Sequence, residues 1–417
     1  MLPEHAEVLI VGAGPAGLAA AIELKRLGVG DVVVADREPE AGGIPRLCHH
    51  IGFGLRDLRL LLSGPDYARR YHRLVQEAGV PVYTNTTLTG WQGPNRLSFT
   101  SPQGLGEIEA RAVLLATGCR ERPRSARLVP GSRPAGVFTT GSLQRFAHEH
   151  HLGSAGVGRR AVIVGAELVS LSALMTLTSI KIPVAMMVTE LPEPQLYFPY
   201  RPMKWLLADL LTRTPVVPRA KVSNIIGYKR VEGIELTHLD SGRIERIDCD
   251  TVVFTGDWIP EHETARLGGL EMDPGTRGPQ IDGAFHTSKR GVFAAGNLLR
   301  GAETADWAAL EGRRAAHHIA QFLRGGQWPE HGLSLQVEPP LAWVSPNIVA
   351  ADSPSSSFLF RAREFRREAQ VQVYQGERLL HTQTFRHLIV NESMRFSGEW
   401  VKDAQPGGEA LSLRVNL

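Results

Sequence analysis

Cysteine is scarce in this 417-residue sequence, and the cysteines do not cluster. The three present are Cys48, Cys119 and Cys249, and no two of them form a C-x-x-C pair. This spacing argues against a disulfide framework, a redox-active dithiol motif and an iron–sulfur cluster held by this chain alone.

A strong net charge and a long apolar run are also missing. The formal net charge of +3 gives no reason to expect nucleic acid or an anionic membrane as a partner. The longest uncharged apolar-rich run, residues 168–180, is too short to span a bilayer. A strand predicted to start by about residue 7 leaves no room for a signal peptide. We expect a soluble, cytoplasmic protein of two or three domains, since 417 residues are too many for one core.

Glycine, by contrast, is plentiful, and residues 7–36 arrange it in a G-x-G-x-x-G pattern between an apolar strand and an Ala/Leu-rich helix. Gly12 permits the tight strand-to-helix turn, Gly14 lets a pyrophosphate approach the backbone, and Gly17 lets the helix pack on the strand. The helix N-terminus offers N–H groups to the phosphates. A second strand ends at Asp36, where a carboxylate accepts hydrogen bonds from an adenosine ribose. The pattern predicts a dinucleotide site.

Three later segments have the character of cofactor loops. Residues 43–50, after Gly42-Gly43, are predicted to form a loop across the cofactor. A strand at 112–116 ends in a Thr-Gly turn that lets the backbone approach the adenine and pyrophosphate. A strand at 292–295 ends in Gly-Asn and leads to a predicted helix at 302–322, aimed at a flavin ring. The dipole of that helix favours negative charge on the reduced ring.

The ordered motifs VGAGPAGLAAA, DREPEAGG, LLATGCRERP and GVFAAGN resemble those of flavoproteins with two dinucleotide-binding domains, which include disulfide reductases and many NAD(P)H oxidoreductases. This broad resemblance covers roughly residues 5–325. The stretch at 42–70 more narrowly resembles the FAD-bearing alpha-type subunits of opine oxidase, hydrogen cyanide synthase and dye-linked proline or hydroxyproline dehydrogenases. The resemblance implies an α/β fold with two Rossmann-like, three-layer domains, and FAD as the cofactor.

Most members of that group have an aspartate after the last glycine motif, where it bonds to the ribityl chain. This sequence has Asn297, whose amide can still hydrogen-bond a hydroxyl. The residues expected to bind the cofactor are Gly12, Gly14, Pro15, Ala16, Gly17, Asp36, Arg37, Gly43, Ile44, Pro45, Arg46, Thr117, Gly118, Gly296, Asn297, Glu303 and Thr304.

A second Rossmann-like start, RRAVIVGAELVSLSALMTL, falls where members of the group that use a nicotinamide bind NAD(P)H. Gly165 fills the first glycine position, but Glu167 and Ser170 fill the second and third. A glutamate there adds bulk and a negative charge that faces two phosphates, and like charges about 4 Å apart cost roughly 1 kcal/mol in water and several times more when partly desolvated. We infer that this module kept its fold and lost NAD(P). A shifted alignment, or a glutamate side chain that swings away, is the alternative.

A flavin accepts hydride itself, so few catalytic side chains are required of the protein. His49, in the loop at 46–50, is a candidate proton shuttle, and Cys48 a candidate reactive thiol; packing or plain loop exposure is the alternative for both. His148, His150 and His151 lie close together, but no cysteine or carboxylate cluster accompanies them, so we expect a solvated segment rather than a metal site.

The expected domains are an FAD-binding domain at 1–125 and 249–328, a degenerate NAD(P)-binding-like domain at 126–248, and a C-terminal antiparallel β-sandwich at 333–417. Strand-like alternation separated by turn residues supports the last. The resembled subunits often carry a cysteine-rich iron–sulfur domain there. No cysteine follows Cys249, so that function is not transferred.

Three functions compete. The first is an FAD-dependent subunit of a hetero-oligomeric amine, amino-acid or hydroxy-acid dehydrogenase that transfers electrons to a non-nicotinamide acceptor. Its partners would be a second flavoprotein and a small iron–sulfur protein, so that any second flavin or cluster lies on a partner. The second is a self-contained NAD(P)H-dependent flavin oxidoreductase. The third is a flavin-stabilised scaffold subunit without turnover.

Overall fold

The computed structural model describes residues 2–149, 153–198, 200–329, 332–350 and 357–416. The chain forms two compact units. Unit 1 comprises residues 1–46, 52–120 and 259–417, and unit 2 comprises residues 47–51 and 121–258. The three domain boundaries expected from the sequence remain a prediction. His150 and His151 lie outside the described residues.

Unit 1 is built on a seven-stranded sheet with a parallel centre. The central strand, His5–Val11, pairs with Val32–Ala35 on one side and with Gly104–Leu115 on the other. Where these three strands pair with one another, their residues are mostly apolar and buried. Such burial is expected of parallel strands in a layered α/β protein. In spatial order the strands are Val82–Tyr83, Val32–Ala35, His5–Val11, Gly104–Leu115 with Val292–Ala294 beside it, and the antiparallel Arg96–Ser101 and Thr87–Trp91.

The C-terminal part of unit 1 contains two further sheets that share one apolar core, in which Phe358, Phe360, Phe396 and Trp400 are fully buried. The expected sandwich is not purely antiparallel, because Leu333–Val337 and Leu411–Asn416 run parallel. One sheet contains Ile348–Val349, Leu333–Val337, Leu411–Asn416, Arg366–Gln375 and Arg378–Leu388, and the other contains Leu341–Ser345, Ser357–Ala362 and Met394–Ser397.

Unit 2 repeats the layered plan with a five-stranded parallel sheet and a three-stranded antiparallel meander. The parallel sheet contains Val137–Thr139, Thr251–Phe254, Ala161–Val164, Val184–Val188 and Val216–Val217, and the meander contains Ala220–Gly227, Val231–His238 and Ile244–Ile247. The α/β fold class is thereby confirmed.

The helices follow the predicted strand–helix alternation. In unit 1 they are Pro15–Arg26, Gly64–Glu77, Glu263–Leu267 and Ala305–Leu323, and in unit 2 Thr140–Gln144, Gly153–Val157, Leu168–Ser179 and Arg201–Lys204. Short 3-10 turns are Ile44–Leu47, Arg124–Arg127, Gly296–Leu298 and Glu399–Asp403; π-helical turns are Arg145–Glu149 and Trp205–Leu211; the remaining short strands are Ile51–Phe53, Leu62–Ser63, Cys119–Glu121 and Trp258–Pro260. None of the helices in the described ranges has the length and apolar character that crossing a bilayer requires.

Two helices of unit 1, Pro15–Arg26 and Ala305–Leu323, touch backbone to backbone. A Cβ built on Gly312 would lie 2.0 Å from the carbonyl oxygen of Ala16, and one built on Gly296 would lie 2.7 Å from the Ala16 Cβ. Glycine at these points lets the last helix approach the first. This contact brings the last glycine motif against the first.

Gly312→Ala tests the contact, because two effects of the change oppose each other. Alanine has a helix propensity about 1 kcal/mol better than that of glycine. A methyl group 2.0 Å from a backbone oxygen must force the helices apart, and we expect a net loss of about 1–3 kcal/mol in the free energy of unfolding by urea. Gln321→Ala, at an exposed site of the same helix, is the control and should change it by less than about 0.5 kcal/mol. A raised urea midpoint for Gly312→Ala would contradict the expectation.

Candidate functional site

The first glycine loop combines tight packing with one open position. A Cβ on Gly12, whose φ is +110°, would lie 2.4 Å from the carbonyl oxygen of Ala116, and one on Gly17 would lie 1.9 Å from the carbonyl oxygen of Gly12. A Cβ on Gly14 would meet no atom of the described residues within 4 Å. Gly12 and Gly17 are therefore required by the fold, whereas Gly14 leaves its backbone accessible to a ligand.

The helix that begins here has no anionic group of its own. Gly14 is its N-cap, no side chain caps it, and its first turn contains no acidic residue. Pro15 stands at the first position, where the missing N–H costs nothing. The N-terminal N–H groups and the positive end of the helix dipole suit a phosphate.

Asp36 and the Gly42-Gly43 turn close the same loop. The Asp36 carboxylate accepts hydrogen bonds from Ala13 N and from Glu38 N, the latter at 2.8 Å, and burial raises its pKa. Gly42 N donates to the Ala13 carbonyl at 2.8 Å. A Cβ on Gly43, whose φ is +65°, would lie 2.9 Å from Gly14 Cα. The segment that follows the second strand therefore packs against Ala13 and Gly14.

Residues after Gly43 form a 3-10 turn, Ile44–Leu47, within the predicted loop. Ile44 is exposed, and Pro45 is the second residue of the turn. Arg46 contacts the carboxylates of Glu38 at 3.5 Å and Glu40 at 3.3 Å. This ion cluster ties the turn to the segment that follows Asp36.

Glu261, a residue that no sequence motif indicates, holds the Thr117-Gly118 turn in place. Thr117 Oγ1 donates to the Glu261 carbonyl at 2.7 Å, and Glu261 N donates to the Gly118 carbonyl at 2.9 Å. The Glu261 carboxylate lies 3.2 Å from both Arg37 and Arg120. The hydroxyl of Thr117 and the carbonyl of Gly118 are thus used within the fold, and the expected cofactor contacts of these two residues remain a prediction.

Asn297 and Glu303 form a closed loop at the last motif. Asn297 Oδ1 accepts from Glu303 N at 3.2 Å, and its Nδ2 lies 3.4 Å from the Glu303 carbonyl. The Glu303 carboxylate accepts from Arg361 at 2.8 Å and from the hydroxyl of Ser393. This carboxylate therefore anchors the C-terminal sheets, and the expected contact of Glu303 with a cofactor stays a prediction. Ala16 serves helix packing, as described above.

Thr304 is the N-cap of the 19-residue helix Ala305–Leu323. Its Oγ1 is buried and has no hydrogen-bond partner among the described residues. A buried hydroxyl without a partner costs free energy, and a polar ligand atom at the helix start would remove that cost. Together with the accessible backbone of Gly14, this atom makes the unit 1 loops suitable for a flavin dinucleotide.

The corresponding helix of unit 2 begins differently. Glu167 is the N-cap of Leu168–Ser179, and a reciprocal capping box joins it to Ser170, with Glu167 N donating to Ser170 Oγ at 3.1 Å and Ser170 Oγ donating to Glu167 Oε2 at 2.7 Å. The glutamate is only 7% exposed, and a Cβ on Gly165 would lie 2.7 Å from Oε2. The side chain therefore folds back over the glycine turn and does not swing away from it.

The second charge near this helix start is Arg127. Its guanidinium donates to the carbonyls of Thr255 at 2.8 Å and Gly256 at 2.7 Å. Burial lowers its pKa, while Asp257 and Glu167 act in the opposite direction. A Cβ on Gly256 would lie 3.2 Å from the Glu167 carboxyl. The Glu167 carboxylate therefore lies against the glycine turns at 165 and 256, and the Arg127 guanidinium is bound to the second of them.

The candidate catalytic residues lie together in unit 2. The Cys48 thiol is buried 3.6 Å from Gln144 Oε1, and burial raises its pKa to about 12. A thiol with so high a pKa is protonated near neutral pH and is a poor nucleophile, which argues against Cys48 as a reactive thiol.

The two histidines next to Cys48 are engaged in different ways. The ring of His49 stacks on that of His148 with 4.0 Å between centroids, and its role as a proton shuttle remains a prediction. His50 Nε2 lies 2.7 Å from Ser172 Oγ, and burial lowers the His50 pKa.

Comparison with known proteins finds similar oxidoreductases. An opine oxidase subunit of Rhizobium meliloti is 27% identical over 341 residues, which are 76% of this chain and 62% of the relative. A putative glutamate synthase [NADPH] small chain of Cereibacter sphaeroides is 27% identical over 342 residues, 75% of this chain and 76% of the relative. The crystal structure of thioredoxin reductase from T. acidophilum superposes with a TM-score of 0.64 at 20% identity, covering 77% of this chain and 99% of the other.

The opine oxidase relative confirms the narrow resemblance drawn from the sequence, although the match spans less than two thirds of that protein's length. The thioredoxin reductase structure, at its low identity, supports the fold alone. The pyridine nucleotide-disulphide oxidoreductase family matches residues 6–312, nearly three quarters of the chain. The chain therefore belongs to the pyridine nucleotide-disulphide oxidoreductase family, a family of flavin-dependent oxidoreductases.

Proposed function

We propose that this chain binds FAD in unit 1 and is the flavin-bearing subunit of a hetero-oligomeric dehydrogenase. Its substrate class would be an amine, an amino acid or a hydroxy acid, and its electrons would pass to a non-nicotinamide acceptor. The observation that carries the proposal is the contrast between two helix starts, one accessible at Gly14 and one covered by Glu167. The likeness to a subunit of opine oxidase supports the role within a larger assembly.

In this proposal bound FAD supplies the hydride acceptor. Gly14 and the start of helix Pro15–Arg26 would hold the pyrophosphate, and Asp36 the adenosine ribose. Thr304 and the first turn of Ala305–Leu323 would face the pyrimidine edge of the ring. Because the positive helix end favours negative charge there, the chain would stabilise the reduced form. A second flavin or an iron–sulfur cluster would belong to partner proteins.

The direct test is to purify the chain together with the products of neighbouring genes and to follow the flavin absorbance. Amines, amino acids and hydroxy acids are added one class at a time without oxygen. The proposal expects one class to bleach the flavin in the assembled complex. If no class bleaches it and NADPH does so at once, the proposed function is wrong.

A self-contained NAD(P)H-dependent flavin oxidoreductase is the second candidate. The likeness to a putative glutamate synthase small chain, whose name includes NADPH, favours it. Against it stands the buried carboxylate of Glu167 at the helix start. The two candidates differ in whether NADPH alone reduces the bound flavin.

Gly14→Val should weaken FAD binding without unfolding the chain. The Cβ of the added side chain meets no described atom within 4 Å, and the side chain would occupy space that the pyrophosphate requires. We expect FAD affinity to fall about a hundredfold, which corresponds to about 2.7 kcal/mol. Titration of the apoprotein with FAD, followed by flavin fluorescence, measures it. Gly93→Val, in a turn where a Cβ makes only ordinary contact, is the matched control; equal affinity of both variants would refute the pyrophosphate position.

Glu167→Gly should open the second helix start to a nucleotide. Stopped-flow spectroscopy should show no rapid flavin reduction by NADPH in the wild type. Glu167→Gly should gain measurable NADPH binding, because bulk and charge are both removed. Glu167→Gln separates the two effects, since it keeps the bulk and removes the charge. Rapid reduction of the wild-type flavin would contradict the loss of this site.

Cys48 should be inert in the folded protein. Its pKa of about 12 leaves almost no thiolate near neutral pH, so iodoacetamide should modify it only after denaturation or as the pH rises toward that value. Mass spectrometry of peptides measures the modification, and the half-buried Cys119 serves as internal comparison. Fast labelling of native Cys48 near neutral pH would restore it as a candidate thiol.

A further inference from the structure

A cavity of about 40 Å³ lies within unit 1, lined by the loop after the last glycine motif, the last helix of the main fold and the C-terminal strands. The volume is roughly three times what one buried water needs. Arg300, Arg314 and Arg395 are among the residues that line it. Its described lining residues include none of those expected to hold FAD.

Glu311 is one of two carboxylates among the described residues that line the cavity, and more than one donor already contacts it. Its Oε1 accepts a hydrogen bond from Arg300 Nη2. The same oxygen lies 3.8 Å from Arg314 Nη2. Its Oε2 accepts from Gly296 N at 3.2 Å. One carboxylate therefore serves two guanidiniums and a backbone donor.

The second carboxylate, Asp282, is bound by its own loop. One oxygen accepts from Ala284 N at 2.9 Å and His286 N at 3.0 Å, and the other lies 2.9 Å from His286 Nδ1. Asp282 is thus held by backbone and side-chain donors of its own loop. Among the described lining residues, three arginines stand against two carboxylates.

The arginine charges are crowded, and one of the donors is unused. Arg300 is 5% exposed, and its Nε has no hydrogen-bond partner among the residues described, the Glu303 carboxylate being 3.7 Å away. Burial lowers the pKa of Arg314, and Arg395 and Arg300 add to this effect while Glu311 opposes it. Arg395 is steadied over the Trp307 ring at 5.3 Å.

We propose that this cavity binds a small oxyanion group, phosphate or carboxylate, through the guanidiniums of Arg300, Arg314 and Arg395. Planar guanidiniums match the oxygens of such groups in pairs. The anion would meet the unpartnered Arg300 Nε and reduce the repulsion between arginines. The site is separate from the proposed flavin chemistry and does not depend on it.

Isothermal titration of the full chain with inorganic phosphate, and separately with succinate, tests the site. We expect saturable binding of one of the two, with an affinity that falls as salt is added. The preferred anion distinguishes a phosphate ligand from a carboxylate ligand.

Arg395→Gln and Arg314→Gln remove side chains that are exposed or half-exposed, so both variants should fold. Each variant should bind the preferred anion with about tenfold lower affinity, the usual effect of losing one charge-assisted hydrogen bond. Arg386→Gln, an exposed arginine of the same C-terminal sheets, is the matched control and should bind like the wild type. Absence of heat for both anions at millimolar concentration, or an equal loss in all three variants, would overturn the proposal.

Discussion

The first turn of a helix presents N–H groups that the helix itself cannot satisfy, and it carries the positive end of the dipole. The two units meet this requirement in opposite ways. Pro15–Arg26 begins at a glycine without a side-chain cap, so an external anion is the natural partner. Leu168–Ser179 begins at Glu167, whose carboxylate is already on the helix start. The proposed difference in ligand binding depends on this one contrast.

The accessible helix start is held in place by contacts between backbones. Gly17 packs on Gly12, and Gly312 packs on Ala16, so two helices and the central strand converge within contact distance of the turn. Since a Cβ at any of these glycines would meet backbone atoms, the turn cannot relax by moving a flexible side chain. Such rigidity keeps the N–H groups directed to one place, which is what recognition of a pyrophosphate requires.

A second set of interactions joins the last glycine motif to the C-terminal sheets. Glu303 pairs with Arg361 and Ser393, while Arg300 pairs with Glu311. Both glutamates are nearly buried. Breaking one partner of such a pair leaves a charge without compensation, which is more costly than the pair is stabilising. The C-terminal sheets are therefore joined to the segment after the last glycine motif by the buried carboxylate of Glu303.

The sequence predicted the parallel strands, the three glycine turns and the last helix, because glycine spacing and continuous apolar runs are local signals. It did not predict the partners of Glu303 or the role of Glu261, since both depend on residues distant in the chain. The pairing of Leu333–Val337 with Leu411–Asn416 is parallel, and strand alternation is the same for either direction. The burial of Cys48 and its hydrogen bonds with Gln144 and Ser172 of unit 2 likewise depend on residues distant in the chain.

The second module also explains which glycines a nucleotide-binding fold can lose. Gly165 keeps a φ of +145°, and a Cβ there would lie 1.9 Å from Thr255 Oγ1. That position is needed for the strand-to-helix turn whether or not a ligand binds. The second glycine position, which Glu167 fills in unit 2, is not needed for the turn. At the equivalent Gly14 of unit 1 a Cβ would meet no described atom within 4 Å. In the proposal that unit 2 binds no nucleotide, its module can therefore accept a large side chain at the second position and keep the first, and Glu167 supplies an anion to the helix start.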